Sequence, residues 1–430
     1  MIKNHILNIE KQSEALKTRI RNDCLRYDEL FKVGTEIEAC LLDDKGVPVN
    51  ASPLIKELSE TPFIKQTGCK MDCEYGSCQF EFKTPPISFK NLFKLNQIYE
   101  EFIIENLDRV LTKVYKERNV IPVFLGANPS PKILNDENIT KNVSRYKKLF
   151  QWQKKLPKIQ LEGQIFDPAH IAASIQGFHF HLQARNPNHV AMMFNHILNI
   201  IPTSIVLGAN SKLFAGNLFS IHEPRIYLYD QSEQPNSGFP TIDKYLNTLE
   251  EYVDYVRSKK PVHARKYFEL EKERHDDVRI RLNTRYYRVE TRILSVQPTP
   301  KSLISMIEFF IGYIHYIINE QAFGKIQLKD IEKIKKERYS SIHNGFNTIP
   351  NSKLINKIKV QLNYAKKGLL DLKTKPNYLD ILFNRLENRT SPGQYVANLW
   401  NKTYNGSFEQ SLSEVLQHMW QKTKENDHTI

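Results

Sequence analysis

Acidic side chains recur at every second residue in one short stretch of the chain. Glu36 and Glu38 lie in residues 33–42, whose apolar and small residues alternate as in a β-strand. Because side chains alternate faces along a strand, the two carboxylates point the same way, about 7 Å apart. In a semi-buried site they repel each other unless a cation or an arginine lies between them. A solvent-facing strand is the better explanation of a lone motif of this kind, so the interpretation depends on whether similar motifs recur along the chain.

A second strand with carboxylates is predicted downstream. Gln79 and Glu81 alternate with Phe80 and Phe82, and Glu74 precedes them by a bend that contains glycine. This bend could bring the carboxylates of Glu74 and Glu81 to one place. The nearby cysteines do not have a standard zinc spacing and lack an obvious fourth ligand, so they are interpreted as small buried or loop residues; they are Cys69, Cys73 and Cys78.

A third predicted strand carries two histidines on one face. His179 and His181 are separated by Phe180. One histidine in a strand is usually a satisfied core residue, whereas two that face the same way favour contacts to a metal or a phosphate. Further along, Asn210 and Ser211 lie in a loop of small residues that can approach a ligand closely.

Arginines concentrate in the later part of the chain. Arg225 is a candidate anion contact, although a surface arginine is the ordinary interpretation. Two alternating segments then predict an antiparallel hairpin, with Arg279 on one strand and Glu290 and Arg292 on the other. Cross-strand salt bridges would explain this hairpin without a ligand, and that alternative stays open.

The remaining chain supplies helices that must position these strands. Helices are predicted within 1–30 and across 90–118 and 188–208, and the region after 303 is helical and rich in lysine. The sequence therefore predicts three regions: an N-terminal helix in 1–30, a catalytic domain in 31–325 and a basic helical region in 326–430. Neither a Walker-type nor a GxGxxG motif occurs, so ATP binding through those routes is not indicated.

Composition describes an ordinary folded protein. The 430 residues are 40% hydrophobic and 25% charged, with a net charge of +13. This excess suits nucleic acid or an enzyme for ATP and anionic substrates, and charge alone does not decide. The N-terminus has no signal-like apolar region and the cysteine count is odd, which predicts a cytoplasmic protein. The apolar run 303–318 contains charged and polar residues and predicts a buried helix rather than a membrane span.

In their order and rough spacing, the motifs resemble those of the glutamine synthetase superfamily, and within it the carboxylate–amine ligases of the glutamate–cysteine ligase type. The matching pieces are Gly34-Thr35-Glu36-Ile37-Glu38, Glu74 with Gln79-Phe80-Glu81, Gly177-Phe178-His179-Phe180-His181, Ala209-Asn210-Ser211 with Gly216, Asp277-Val278-Arg279 and Glu290-Thr291-Arg292.

The resemblance implies an α+β fold with a curved, mainly antiparallel β-sheet. Its concave face would form the active-site funnel, with helices packed behind it and a helical C-terminal layer. The implied reaction is ATP- and Mg²⁺-dependent: a substrate carboxylate, glutamate or a relative, is activated as an acyl phosphate, and an amine then forms the amide, a γ-glutamyl bond. Two or three Mg²⁺ ions are implied, with Mn²⁺ as an alternative. Membrane and nucleic acid are not expected partners, and a homo-oligomer is compatible with the sequence.

The resemblance also implies a role for each matching residue. The implied metal ligands are Glu36, Glu38, Glu74, Glu81, His179 and Glu290. The implied catalytic residues are Arg279, Glu290 and Arg292. The implied contacts to ATP and its phosphates are Arg279, His181, Asn210 and Ser211. The implied substrate contacts are Arg225, Arg292 and Gln79.

The chain departs from the family pattern mainly at substrate-side positions. Lys212 and Ile280 stand where the family usually has proline, and Ser295 stands where it has an acidic residue. ATP-dependent ligation is therefore a firmer expectation than glutamate and cysteine as substrates. The alternatives are a phosphotransferase of the guanido-kinase type on the same fold and a non-enzymatic basic binding protein.

Overall fold

A computed structural model describes most of the chain. The described residues are 2–23, 32–116, 118–184, 186–232, 236–283, 286–322, 328–347 and 351–429. Both predicted domain boundaries, at 30/31 and 325/326, fall outside these ranges. The division into three regions therefore stays a prediction.

The strands are β1 (Lys32–Asp43), β2 (Lys70–Cys73), β3 (Gln79–Lys83), β4 (Ile87–Ser88), β5 (Val120–Val123), β6 (Ile159–Leu161), β7 (Gln164–Phe166), β8 (Phe178–Gln183), β9 (Leu213–Phe214), β10 (Asn217–Leu218), β11 (Ser237–Gly238), β12 (His275–Asp276), β13 (Val278–Arg281) and β14 (Arg288–Thr291).

The helices are α1 (Ile2–Arg21), α2 (Ser52–Ser59), α3 (Pro62–Thr67), α4 (Leu92–Glu100), α5 (Asp108–Val114), α6 (Ser144–Gln153), α7 (Pro168–Ile171), α8 (Pro187–Gly208), α9 (Pro224–Ser232), α10 (Leu249–Arg257), α11 (Tyr267–Lys272), α12 (Pro300–Ala322), α13 (Ile331–Asn344), α14 (Asn351–Asp371), α15 (Leu379–Glu387), α16 (Pro392–Thr403) and α17 (Phe408–Lys424). A π-helical segment, Glu101–Leu107, joins α4 to α5.

One large antiparallel sheet organises the described part of the chain. Its strands run in the order β13-β14-β8-β1-β3-β2, and β4 and β5 also pair with β1. The pairing follows the alternation seen in the sequence, because burying one face of each strand sets the register. In β1, for example, Val33 and Ile37 are fully buried whereas Glu36 is only partly buried. The predicted α+β fold with a mainly antiparallel sheet is confirmed.

Helices cover the apolar face of this sheet. Phe180 of β8 meets Phe310 of α12 edge to face, with ring centroids 4.8 Å apart. Phe82 of β3 stacks on Phe102 at 3.8 Å. Since aromatic pairs of this kind add to ordinary area burial, they hold the helical layer firmly against the strands. The opposite face of the sheet is left for polar side chains.

The C-terminal helices pack onto the same core. At Gly312 of α12 and Gly368 of α14, a Cβ atom would collide with the backbone of the facing helix, so the two glycines permit a close approach. Phe124, just after β5, stacks on Trp420 of α17. The predicted helical C-terminal layer is therefore present and shares the hydrophobic core.

Within the described ranges, two helices are long and apolar enough to cross a membrane by length and composition, namely α8 and the portion Pro300–Asn319 of α12. Their apolar windows are 94% and 78% buried inside the protein. This burial matches the sequence interpretation of residues 303–318 as a buried helix.

Candidate active site

Strand register brings the separated motifs onto one face of the sheet. Residues directly opposite each other in antiparallel strands share a face. Glu38 pairs with Glu81, and Glu36 pairs with His179 on its other side. Glu290 pairs with both His181 and Arg279. Strand pairing alone therefore brings the predicted site residues of these strands close together.

The first part of this face, here called the acidic end, consists of Glu36, Glu38, Glu74 and Glu81. The carboxylates of Glu38, Glu74 and Glu81 offer oxygens within 4.8 Å of one another, and Glu36, Glu81 and His179 form a second such group. Carboxylate oxygens with an occasional imidazole are the ligands that Mg²⁺ and Mn²⁺ prefer. These groups are suited to holding a divalent cation.

The protonation of the acidic end supports a cation site. Burial and the charge of Glu38 raise the pKa of the Glu74 carboxyl to about 7. Burial and the charge of Glu74 likewise raise the pKa of Glu81 well above its ordinary value. The carboxylates thus lack enough positive charge from the protein to stay ionised together. A bound divalent cation would supply that charge.

His179 is oriented toward this site. Burial and the charge of Arg292 lower the pKa of its imidazole, which favours the neutral form. Its Nδ1 lies 3.3 Å from Glu36 Oε2, and its Nε2 lies 3.7 Å from Glu38 Oε1. If Nδ1–H donates to Glu36, the Nε2 lone pair faces Glu38, as a metal ligand would.

Gly177 lets these groups come together. A Cβ atom at this position would lie 2.6 Å from Arg225 Nη2, 2.7 Å from His179 Nε2 and 3.3 Å from Glu38 Oε2. The Gly177 amide also donates to Glu38 Oε2 at 2.5 Å. A side chain here would fill the space between three predicted site residues.

The other part of the face, here called the arginine end, consists of Arg279, Arg281, Arg288 and Arg292. Arg279 donates from Nε and Nη2 to the two oxygens of Glu290, both at 2.8 Å, and Arg292 Nη1 donates to Glu290 Oε1 at 2.7 Å. Burial opposes ionisation of Glu290, but Arg279 and its neighbours hold the pKa of this carboxyl well below the ordinary value. Arg279 and Arg292 thus favour the ionised form of Glu290, which accepts hydrogen bonds from both.

Both ends border one cavity of about 1290 Å³. Its lining includes nine of the residues expected from sequence: Glu36, Glu38, Glu74, Gln79, Glu81, His179, Arg225, Arg279 and Arg292. Arg225 is buried, with Nη1 donating to the Ile293 carbonyl at 3.0 Å and Nε without a hydrogen-bond partner in the described structure. The Gln79 amide is occupied by backbone groups, since it accepts from Gly76 N and donates to the Ile175 carbonyl.

Two residues expected at the ATP phosphates lie apart from the described cavity lining. Asn210 Nδ2 donates to the carbonyls of Phe124 and Val296, and Ser211 Oγ donates to Glu223 Oε1 at 2.5 Å. Both side chains are buried and join loops together. His181 lies between the two ends, with Nε2 3.3 Å from Glu36 Oε1 and Nδ1 3.9 Å from Glu290 Oε2.

Sequence reasoning did not assign several residues that border the site. Lys83 Nζ lies 2.6 Å from Glu81 Oε2 and 2.8 Å from Asp72 Oδ2. Its alternation with Glu81 on β3 was a usable signal. Arg338 of α13 holds Asp277 at 2.5 Å and Asp230 at 2.7 Å. No local pattern in the sequence predicts that contact, because α13 begins at Ile331 whereas the last strand of the sheet ends at Thr291.

An antiparallel sheet that faces carboxylates and arginines across one cavity fits an enzyme that joins a carboxylate to an amine. The family model described as "Glutamate-cysteine ligase family 2 (GCS2)" matches residues 32–344, and the chain belongs to this family. Family membership supports an amide-forming carboxylate–amine ligase. No curated protein matches the sequence significantly.

Solved structures share the fold at low sequence identity. The glutamate–cysteine ligase of Francisella tularensis, in complex with AMP, is 12% identical with a TM-score of 0.60, and the alignment covers 94% of this chain and 91% of that one. The bifunctional glutathione synthetase of Pasteurella multocida is 14% identical with a TM-score of 0.56. That alignment covers 98% of this chain and 55% of the synthetase, so the chain spans about half of that relative's length.

Proposed function

We propose that this protein is an ATP- and Mg²⁺-dependent carboxylate–amine ligase that forms an amide, specifically a γ-glutamyl bond, through an acyl phosphate. The observation that carries the proposal is the single cavity, in which the acidic end and the arginine end share one face of the sheet. Family membership supports the amide-forming chemistry. AMP in the Francisella tularensis relative supports a nucleotide as one substrate.

The residues fit the two charged groups that such a reaction brings together. Glu38, Glu74 and Glu81, with His179, would hold Mg²⁺, which supplies neutralisation of phosphate oxygens when bound. Arg292 lines the cavity and, among the described residues, donates to Glu290 through Nη1. Arginine forks suit phosphate and carboxylate oxygens alike.

The proposed reaction has two steps. A substrate carboxylate oxygen attacks the γ-phosphorus of ATP, the bond to the β-phosphate oxygen breaks, and ADP leaves. The amine nitrogen then attacks the acyl carbon, the carbon–oxygen bond to phosphate breaks, and phosphate departs while the nitrogen loses a proton. Glutamate or a relative is the proposed carboxylate, and the amine is a small molecule. Positioning and charge neutralisation carry most of such catalysis.

Product analysis tests the proposal directly. We expect release of ADP and phosphate from ATP, Mg²⁺ and glutamate only when an amine from a panel of amino acids is added, with a new amide seen by mass spectrometry. Glu38→Gln should abolish turnover, whereas Glu60→Gln, an exposed carboxylate paired with Lys65 outside the cavity, should not. Full turnover in Glu38→Gln would overturn the metal assignment. ATP use with a single acceptor and no free phosphate would indicate a phosphotransferase instead.

A further inference from the structure

One arginine of α13 holds two aspartates of the cavity wall. Arg338 donates from Nε and Nη2 to the two oxygens of Asp277, at 2.5 and 2.8 Å. Its Nη1 and Nη2 also donate to the two oxygens of Asp230 in α9, at 2.7 and 3.0 Å. Because the guanidinium is planar and rigid, two such forked contacts fix the relative positions of both carboxylates. A single side chain thus ties α9 and α13 to the residue that precedes β13.

Arg338 lies behind the wall of the cavity rather than in it. Asp230 and Asp277 line the cavity, whereas Arg338 is not among the described lining residues and is 7% exposed. Its hydrogen bonds to described residues go to the two aspartates. Any effect of Arg338 on the chemistry in the cavity must therefore pass through the residues that it holds.

The backbone of Asp277 connects this contact to Arg292. The Arg292 amide donates to the Asp277 carbonyl at 2.8 Å, and the Asp277 amide donates to the Gly238 carbonyl at 2.8 Å. The peptide groups on both sides of Asp277 are therefore fixed, one to β11 and the other to the residue after β14. Arg292 lines the cavity and donates through Nη1 to Glu290. One side-chain contact and one backbone hydrogen bond thus lead from Arg338 to an arginine of the cavity.

The two aspartates depend on Arg338 to lie side by side. Burial raises the pKa of the Asp277 carboxyl to about 6, although the charge and hydrogen bonds of Arg338 lower it, and the charge of Asp230 adds to the rise. Without the guanidinium the two carboxylates would repel each other, and Asp277 would move or take up a proton. A movement of Asp277 displaces the carbonyl that accepts from the Arg292 amide.

A second buried arginine provides a matched control. Arg385 of α15 is 3% exposed and donates to the Leu207 carbonyl at 3.1 Å and to Gln297 Oε1 at 2.8 Å. These partners are not among the described residues that line the cavity. A substitution of Arg385 therefore controls for the loss of a buried arginine as such.

We propose that Arg338 is a positioning residue, which sets the place of Arg292 in the cavity through Asp277. The coupling of the three residues follows from their hydrogen bonds. That Arg292 contacts a substrate oxyanion rests on the proposed function. The side chain that orients an arginine of the cavity is thus supplied by a helix outside the sheet.

Hydrogen exchange of the Arg292 amide tests the coupling in the ligand-free protein, without turnover. Lysine keeps the charge of Arg338 but cannot form both forked contacts, so Arg338→Lys should weaken the hold on Asp277. We expect the Arg292 amide to exchange about tenfold faster in Arg338→Lys than in wild type, measured by NMR relative to the Val289 amide of β14. Arg385→Lys should change the exchange of both amides by the same factor.

A second variant keeps the test decisive if lysine disrupts folding. Arg338→Met combined with Asp230→Asn removes one charge of each sign and so avoids the repulsion, yet it leaves Asp277 without its forked contact. The Arg292 amide should again exchange faster than in wild type. Wild-type exchange of this amide, relative to that of Val289, in both variants would overturn the coupling.

Kinetics then test whether the coupling serves catalysis. Arg338→Lys should lower kcat/KM for amide formation about tenfold in the wild-type background but less than about twofold in an Arg292→Ala background, because effects that pass through one residue are not additive. Equal factors in both backgrounds would mean that Arg338 has only a structural role. A chain whose Arg292 amide responds to Arg338→Lys but which forms no amide bond between substrates retains the coupling and refutes the proposed function.

Discussion

The acidic end and the arginine end bury charge in different ways. At the acidic end, Glu81 has a raised pKa because it is buried and other carboxylates surround it. At the arginine end, Glu290 is equally buried but has a lowered pKa because Arg279 and its neighbours enclose it. Two glutamates on the same face of the sheet therefore have pKa values that are shifted in opposite directions, because their neighbours carry opposite charges.

The difference separates a carboxylate that is paired with arginines from carboxylates that mainly face one another. The arginine end contains an internal clamp, in which Arg279 and Arg292 donate to Glu290. At the acidic end, Lys83 at the edge forms an ion pair with Glu81. The carboxylates of this end would suit a divalent cation, whereas the carboxylate of the clamp is already engaged by arginines. Replacing a glutamate by glutamine should consequently change the free energy of unfolding in opposite directions at the two ends.

The largest expected effect is at the clamp. Glu290→Gln leaves Arg279 and Arg292 buried without a counter-charge, so the free energy of unfolding should fall by about 3–5 kcal/mol. Denaturant unfolding of the metal-free protein measures this change. Glu60→Gln, at an exposed ion pair, is the matched control and should leave the free energy of unfolding unchanged. A clamp variant as stable as wild type would show that Glu290 is not the structural anchor.

The next effect is a pH dependence at the acidic end. The pKa of Glu74 is about 7 in the folded protein and 4.5 as an ordinary glutamate. Between these values the folded state holds a proton that the unfolded state has lost, so stability should fall as pH rises from about 4.5 to about 7, by about 3 kcal/mol.

Unfolding in EDTA across this pH range measures the slope. Glu74→Gln should flatten it, because the amide does not titrate. Saturating Mn²⁺ should reverse it, since a cation binds the deprotonated carboxylates. A slope that is the same in wild type and Glu74→Gln would place the responsible group elsewhere.

Much of the site follows from local sequence. Alternation along a strand has a period of two, so Glu36 and Glu38, or His179 and His181, share a face whatever the tertiary fold. The family resemblance then implies a mainly antiparallel sheet, and the structure confirms that fold. The roles assigned to individual residues stay predictions.

Hydrogen-bond partners could not be predicted in the same way. Arg279 and Arg281 are indistinguishable by spacing, yet Arg279 meets Glu290 and a carbonyl whereas Arg281 meets neither at hydrogen-bond distance. Asn210 and Ser211 lie in a loop of small residues, which suits a ligand, but the loop is buried against Glu223. These outcomes depend on packing between segments far apart in sequence, which periodicity does not report.

A smaller effect distinguishes the acidic end from the clamp. Glu81→Gln removes one of several crowded carboxylates, so without divalent cations at pH 8 the free energy of unfolding should rise by about 1 kcal/mol. The same variant should lose most of the stabilisation that Mn²⁺ gives wild type, because ligand binding stabilises only the state that binds. Thermal unfolding with EDTA and with Mn²⁺ measures both. A fall in stability in EDTA, like that expected for Glu290→Gln, would remove the distinction between the two ends.

The smallest effect concerns the edge of the acidic end. Lys83 is partly exposed and contacts Glu81 and Asp72, so its ammonium competes with a cation for Glu81. Lys83→Met should tighten Mn²⁺ binding about threefold, the size expected from a partly exposed ion pair. Calorimetric titration measures this, with Lys65→Met, which breaks a comparable pair with Glu60 outside the cavity, as control. Weaker Mn²⁺ binding in Lys83→Met would mean that the lysine orients Glu81 for the metal, so that the acidic end, like the arginine end, is held in place by an internal ion pair.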